Sequence, residues 1–356
     1  DHGTSRGLGD VYKRQPCLSI GACMYSQVFP HPSLGGEDVD GILYLRVGYH
    51  EVGVHMYRAS GSSFTMTALG ILDLLLEGGA CLTSMDVKLH GSGLVLIGLG
   101  PGDLGLMTKH AIDTARDADF RFLEGYTATL PSDQEGLLTE FLGEWTMIMR
   151  PDVENPTKLL DLAERSTVAL LVVGDPMHAT THIDLLLRAK DSGIPTLVIP
   201  GISATSLAVT RSGLQSYRFG RQITLPYSYG DYLPTSPLEL LFNNLSNNLH
   251  TLVLLDLDPT GMGVKKPVPM SPGQAVEILV KMHEKMEGTD TPIPPFDTSF
   301  LERECILLSD LGTPDQSLCS GSLDDIAGIQ SGRIHCMIVP AEMDDIERAA
   351  FEGIRI

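Results

Sequence analysis

At 356 residues with 43% hydrophobic content, the chain can bury a sizeable core and is long enough for two domains, which excludes a disordered polymer. Its formal charge of −20 is unevenly placed: residues 1–92 hold 6 Lys+Arg against 9 Asp+Glu, leaving 19 against 36 for the remainder. An acidic body of this kind lacks the basic stripes that grip phosphate backbones, so no nucleic-acid partner is expected.

The first ninety-three residues differ in texture from the rest. Residues 1–15 show no apolar period, and DVYKRQ at residues 10–15 resembles translated linker sequence. Residues 44–57 read as a hairpin and residues 68–77 as a helix of a turn or two. The longest apolar stretch, residues 64–82, is interrupted by Asp73, Glu77 and the Gly78-Gly79 pair. A membrane span needs about 20 uninterrupted apolar residues, so no membrane partner is expected. Met85 lies nine residues before the first convincing strand, and translation is expected to start naturally near it. The alternative, a genuine small domain before residue 94, stays open. With no basic leader and cleavage site at its start, the protein is expected to be cytoplasmic.

The most informative stretch is Leu94 to Thr108, LVLIGLGPGDLGLMT. Four apolar residues, Leu94 to Ile97, fit a buried parallel strand, and Gly98, Gly100 and Gly102 allow backbone angles and close approaches that a side chain would block. A phosphate-binding P-loop would need GxxxxGK with Ser or Thr, and no such run exists. The dinucleotide fingerprint needs a glycine where Asp103 stands, and an acidic side chain there disfavours a pyrophosphate. A ligand with a positive centre, or a nucleoside without phosphates, suits the loop better.

From there strands and helices alternate. A helix is predicted over residues 108–117, a strand over 120–123, a doubly covered strand over 167–173 and a helix over 183–190 with Gly193 as its stop. A further buried strand over 196–199 and a helix from about Ala204 complete the βαβ rhythm. Three strand ends therefore carry polar loops, GLGPGD, GDPMHATTH and PGISATS, where α/β sheets bind ligands. The texture changes near Arg218. Beyond it, prolines at 226, 234 and 237 break a Tyr-rich segment; strands are predicted over 250–257, 305–309 and 335–339, and a helix over 274–285. Six cysteines, Cys17, Cys23, Cys81, Cys305, Cys319 and Cys336, are scattered without CxxC spacing, so neither a metal site nor a disulfide framework is expected.

The strings GLGPGD, GDPMHATTHIDLLLRAK, GLQSYRFG, LPTSP, LHTLVLLDL and IHCMIVPAEM occur in an order and approximate spacing that resembles the diphthine synthase family, within the tetrapyrrole methylase superfamily. The resemblance spans about Leu94 to Ile356. It implies an α/β fold of two domains, 94–217 and 218–356, each a sheet flanked by helices, with the cofactor in the interdomain cleft and residues 1–93 as a non-family extension. It implies methyl transfer from S-adenosylmethionine to the amino group of the 3-amino-3-carboxypropyl-histidine on translation elongation factor 2, by a homodimer. Carried over by position, the cofactor contacts fall on Pro101, Asp175, His178, Ala204, Thr205, Leu255, Leu311 and His335. Ser203 joins them because a one-residue shift of the PGxS loop brings it to a family serine. The chain departs from the family at Pro101 and His178, where apolar residues are common, and at Ala204-Thr205, where Ser-Ile is common. No catalytic acid or base is identified.

Each of these residues also has a plainer role available. Asp175 before Pro176 suits a turn cap, Thr180 and Thr181 suit caps of the following helix, and Leu255 and Leu311 suit a core. His182 and His250 are expected to be structural. Tyr227, Tyr229 and Tyr232 fit a protein-substrate surface or a packed loop. Other functions stay open: a corrinoid, porphyrin or ribosomal RNA methyltransferase, or an S-adenosylmethionine-binding protein without turnover.

Overall fold

The computed structural model describes residues 41–47, 50–56, 91–230, 232–287 and 299–356, and the chain divides into two compact units, Asp1–Ser84 and Met85–Ile356. In the first unit, β1 (Gly41–Val47) and β2 (His50–Met56) pair antiparallel from Gly41↔Met56 to Val47↔His50. This is the hairpin expected over residues 44–57, begun three residues earlier. The helix expected over residues 68–77, and Met85, lie outside the described residues.

The second unit contains two five-stranded sheets. The first holds β3 (Gly93–Gly98), β4 (Phe120–Glu124), β5 (Thr146–Ile148), β6 (Thr167–Val172) and β7 (Thr196–Ile199). They run in the order β5-β4-β6-β3-β7, and every pairing is parallel. Strand β3 is apolar throughout because both of its faces are covered. Val95 and Ile97 pack under α1 (Lys109–Asp117) and α2 (Ser132–Leu142). Leu94 and Leu96 pack under α3 (Arg150–Glu154), α4 (Thr157–Ala163) and α5 (His182–Asp191). Each fully buried Leu or Ile contributes about 1.5–3 kcal/mol by leaving water.

Helix boundaries follow local chemistry. Thr108 stays outside α1 as its cap, its hydroxyl accepting from the Ala111 N–H at 3.1 Å. Helix α5 begins one residue before the predicted Ile183, and of the two threonines expected to cap it only Thr180 does, its hydroxyl accepting from the His182 N–H at 3.4 Å. Thr181 makes no side-chain cap bond, and the Thr180 hydroxyl also donates to the Pro176 carbonyl at 2.9 Å. His182 is buried and shares that carbonyl through Nδ1 at 2.7 Å, a structural role as expected. Gly193, at φ +70°, ends the helix as predicted.

The second sheet holds β8 (Ile223–Leu225), β9 (Thr251–Leu255), β10 (Glu304–Ser309), β11 (Ser317–Ser322) and β12 (His335–Val339), in the order β11-β10-β12-β9-β8. Only β8 and β9 pair parallel. One face packs against α7 (Ser236–Ser246), α8 (Pro272–Glu287) and α9 (Leu323–Ala327). The other packs against α6 (Ala204–Arg211) and α10 (Asp345–Glu352) through Ala208 and Phe351. Helix α6 leaves the first sheet and covers the second, so the two sheets share an element. Strand β9 ends before the predicted Leu257, because the Asp256 carboxylate accepts from the Leu257 and Asp258 N–H groups and turns the chain.

A buried polar network ties α10 to this sheet. Glu347 is fully buried and accepts from the Gln215 N–H at 2.8 Å, from the Arg218 guanidinium and from His250 Nε2 at 3.0 Å. His250 Nδ1 accepts from the Ala341 N–H at 3.0 Å, so the proton sits on Nε2 and the ring is neutral. Burial pushes the His250 pKa below its ordinary value against the upward pull of Glu347. Between that depressed value and the ordinary value near 6.5 the unfolded chain binds more protons than the folded one. Stability is therefore fully present above pH of about 6.5 and falls as the pH drops through this window. The melting temperature should decline between pH 7.5 and 5.5, and His250→Asn should make that decline shallower; an unchanged slope contradicts the assignment.

Candidate functional site

The carboxyl ends of β3, β6 and β7 meet at three glycines. A Cβ on Gly201 would lie 2.1 Å from the Gly174 carbonyl oxygen and 2.9 Å from Gly98 Cα. A Cβ on Gly98 would lie 2.4 Å from the Gly201 nitrogen. These separations are far inside van der Waals contact, so only glycine fits at either position. Gly100 and Gly174, both at positive φ, exchange hydrogen bonds of 3.2 and 2.6 Å across the loops. Asp103 points back into its own loop, Oδ1 accepting from the Gly105 N–H at 2.7 Å.

The loop residues that follow carry the predicted polar groups. Asp175 Oδ1 accepts from the Met177 N–H at 2.8 Å, the turn cap considered for it, while Oδ2 accepts from the Gly201 N–H at 3.1 Å. One carboxylate thus fastens the second loop to the third and keeps acceptor capacity on both oxygens. Ser203 caps α6, its hydroxyl 2.8 Å from that of Thr205. The Thr205 hydroxyl lies 3.1 and 3.2 Å from the ring nitrogens of exposed His178. Ala204, the first residue of α6, is exposed. Next to His178, Ala179 takes a left-handed φ of 58°, a strained conformation for a residue with a side chain.

The second sheet brings up its own set. The ladder step Cys336↔Leu254 places Leu255 opposite His335, and His335 pairs in turn with Ser309. His335 Nδ1 lies 2.8 Å from the Ser309 hydroxyl, and burial depresses its pKa despite the nearby Asp310 carboxylate. Leu311, buried, follows in the turn after β10 and packs with Leu207 of α6. That turn touches the first loop directly: the Asp103 N–H donates to the Gly312 carbonyl at 3.0 Å. A Cβ on Gly312 would fall 2.1 Å from Pro101 Cγ.

The structure therefore joins Ser203, Thr205 and His178 in one polar cluster, fastens Asp175 to the loop before Ser203 through the Gly201 N–H, and brings Pro101 to the turn that carries Leu311 beside His335 and Leu255. A crevice of about 270 Å³ is lined by His178, Thr205, Val209, Gln222 and Leu252 among others. A larger cavity of about 630 Å³, lined by Asn248, Arg303, Glu304, Glu342 and Arg348 among others, contains none of the predicted residues, and Arg348 pairs with Glu304 there.

Residues not predicted also reach this edge. Glu124, at the end of β4, is buried and accepts from the Tyr126 and Thr127 N–H groups at 3.1 and 2.7 Å. Burial, and then Glu124, raise the Tyr126 pKa. Arg150 stacks over that ring, its guanidinium carbon 5.2 Å from the centroid. A charged residue closing the apolar run FRFLE was the available signal for Glu124; the short β5 hid Arg150. Of the three tyrosines, Tyr227 is buried and donates to the Val268 carbonyl at 3.0 Å, as in a packed loop. Tyr229 and Tyr232 are half-exposed and stacked, 4.7 Å between centroids.

With this geometry in place, comparison with known proteins is specific. The family model for tetrapyrrole (corrin/porphyrin) methylases matches residues 93–327. The chain belongs to that family and is a methyltransferase of its fold. Within the family it groups with the diphthine synthases. It is 36% identical over 262 residues to the diphthine synthase of Methanocorpusculum labreanum, covering 73% of this chain and 97% of that protein. Against the diphthine synthase of Methanoregula boonei it is 35% identical over 271 residues, covering 73% and 99%. A crystal structure of diphthine synthase superposes with a TM-score of 0.63 at 27% identity, covering 74% of this chain and 95% of that one.

The glycine contact generates a paired prediction. Gly201→Ala should destabilise the protein by about 1–3 kcal/mol through overpacking. Gly136→Ala, exposed in α2 with nothing within 4 Å of its added Cβ, should stabilise by about 0.5–1 kcal/mol. Denaturant titration of both variants checks the pair, and equal effects would show that the strand ends are not in contact.

Proposed function

We propose that the protein methylates the amino group of the 3-amino-3-carboxypropyl-histidine on translation elongation factor 2, using S-adenosylmethionine, in diphthamide biosynthesis. It acts as a cytoplasmic homodimer. The observation that carries this reading is the meeting of three glycine-bound strand ends with the turn that bears Leu311 and flanks His335 and Leu255. The likeness to diphthine synthases supports the choice of acceptor.

The residues present fit the cofactor. Glycines at 98, 174 and 201 bring backbone within reach of a ligand, and the buried leucines at 255 and 311 suit an adenine ring. Asp175, Ser203, Thr205 and neutral His335 offer acceptors and donors to hydroxyl and ammonium groups. Pro101, His178 and Ala204 shape the rim of the same pocket.

When bound, S-adenosylmethionine supplies a methyl on a sulfonium: the amine lone pair forms the new N–C bond, the S–C pair stays on sulfur, and the nitrogen sheds a proton. The chain's share is positioning and exclusion of water. Asp175 and the Ser203–Thr205 pair orient, while Leu255 and Leu311 keep water from the strand ends. Dehydration lowers the pKa of the acceptor ammonium and favours its reactive neutral form.

Incubating the purified protein with methyl-labelled S-adenosylmethionine and unmodified elongation factor 2 should place label on the modified histidine. Label on RNA or a corrinoid instead, or calorimetric binding without turnover, overturns this reading in favour of a different methylase or a binding protein. Asp175→Ala should weaken cofactor affinity by about 10-fold or more, as expected for loss of a charge-assisted contact; unchanged affinity removes it from the pocket.

A further inference from the structure

Arg150 occupies an unusual position on the site's edge. It follows β5 by two residues, and the Gly125 N–H donates to the Ile148 carbonyl at 3.0 Å, which aligns it with the carboxyl end of β4, the neighbour of β6. The second sheet's loop after Leu255 crosses directly over it. The Arg150 N–H donates to the Gly263 carbonyl at 3.2 Å, and a Cβ on Gly263 would fall 2.5 Å from both Arg150 Cβ and Nε. Gly263, at φ +60°, thus leaves room only for the guanidinium stem. With Tyr126 stacked beneath it, the side chain is held from two sides.

Yet the charge is not matched. Nε is buried and finds no hydrogen-bond partner among the described residues. Among the described residues the nearest carboxylate oxygen, on Glu154, lies 3.9 Å from Nη1, beyond hydrogen-bond range. Two other carboxylates stand nearby, and both are committed to their own loops. Asp258 accepts from the Thr260 N–H at 2.9 Å, from the Thr260 hydroxyl at 2.6 Å and from the Gly263 N–H. Burial opposes ionisation of Asp258, but these bonds, with help from Arg150, hold its pKa below the ordinary value. Glu124 is taken up by Tyr126 and Thr127. Arg150 side-chain exposure is 38%, so part of the planar fork faces open space.

A guanidinium that is fixed, half-open and short of partners is built to receive a planar anion. In a chain of net charge −20 an anionic ligand is otherwise repelled, which makes a dedicated cation necessary. Glu154 and Asp258 beside Arg150 repel a doubly charged phosphate more strongly than a singly charged carboxylate, which favours the carboxylate. We propose that Arg150 is a carboxylate anchor at the carboxyl edge of the first sheet, beside the ends of β5 and β4, pairing with the carboxylate of an α-amino-acid group bound along that edge. The inference rests on the methyltransferase reading above. Two sources share this chemistry: the methionyl end of the cofactor, and the aminocarboxypropyl group of the acceptor, whose carboxylate sits on the carbon bearing the amine.

The test uses Arg150→Met and Arg150→Lys in the full chain, with circular dichroism and melting to establish folding. Calorimetry compares S-adenosylmethionine with 5′-methylthioadenosine, which lacks the amino-acid end, and steady-state kinetics give KM for unmodified elongation factor 2. If the anchor holds the cofactor, Arg150→Met should weaken S-adenosylmethionine by about 10- to 100-fold and leave methylthioadenosine within about twofold. If it holds the acceptor, KM for the factor should rise by a similar amount with cofactor affinity unchanged. In either arm Arg150→Lys recovers part of the loss by keeping the charge without the fork, and it carries the test should the methionine variant not fold. The anchor is overturned if neither constant moves more than about twofold, or if both nucleosides weaken equally, as a displaced loop would cause. A wild-type protein that binds no S-adenosylmethionine overturns the methyltransferase reading itself, and the anchor with it.

Discussion

Backbone-to-backbone contact among Gly98, Gly174 and Gly201 is the constraint on which the rest of the second unit's site depends. Parallel strands stand about 4.8 Å apart, and side chains normally keep the loops at their ends from converging. Removing Cβ from these positions lets the chain segments touch. The positions of Asp175, Ser203 and Thr205 are then set by main-chain sterics rather than by flexible side chains, so little ordering remains to be done when a ligand arrives. Asp175 reinforces the closure by accepting from the Gly201 N–H. Because that carboxylate ties two loops together, its removal is expected to cost stability whatever else it does.

The second sheet is joined to this point by two features of different kinds. Helix α6 starts at the tip of β7 and buries Ala208 against Leu252, Ile306 and Ile338 of the other sheet. Gly312 gives way to Pro101, allowing the turn after β10 to close on the first loop. Behind that turn, the Glu347 network anchors α10 and the start of β9, so the sheet that carries Leu255 and His335 is braced at its opposite margin. The brace depends on a neutral His250, which makes it acid-sensitive.

What was legible in the sequence follows the strength of its periodic signals. The runs LVLI, TVALLVV and HTLVLLDL announce buried strands because long apolar stretches bounded by glycine or aspartate have few alternatives. Strand β11, SLCSGS, is small and polar, and β5 spans only Thr146–Ile148, so neither carries a period. Strand β8 and the helices α2, α3, α4, α7, α9 and α10 are likewise too short or too weakly periodic to predict. In α7 the prolines at 234 and 237 suggested a broken loop, although Pro237 simply occupies the first turn, where its missing N–H costs nothing. The glycine loops were legible, but their contacts were not, since Gly98, Gly174 and Gly201 lie far apart along the chain. Arg150 was invisible for the same reason: its meaning comes from Tyr126 and Gly263, neither of them a sequence neighbour.

Electrostatics gives the site a direction. An acidic body attracts a sulfonium, which carries a positive charge, more strongly than the neutral thioether left after methyl transfer, so on the proposed reading the charge distribution favours cofactor over spent product. The same field works against the acceptor, because nearby carboxylates stabilise its ammonium form and raise its pKa. Dehydration has to offset that pull. The three loop carboxylates best placed to exert it, Asp103, Asp175 and Asp258, each already accept one or more hydrogen bonds from neighbouring residues, which disperses their charge locally. His335 is held neutral by burial and adds no opposing cation. Arg150, fixed between Tyr126 and Gly263, is a cation at this edge without a full partner among the described residues. Its pairing with a carboxylate would hold the neighbouring amine at the sheet's carboxyl edge while leaving the amine itself unpaired.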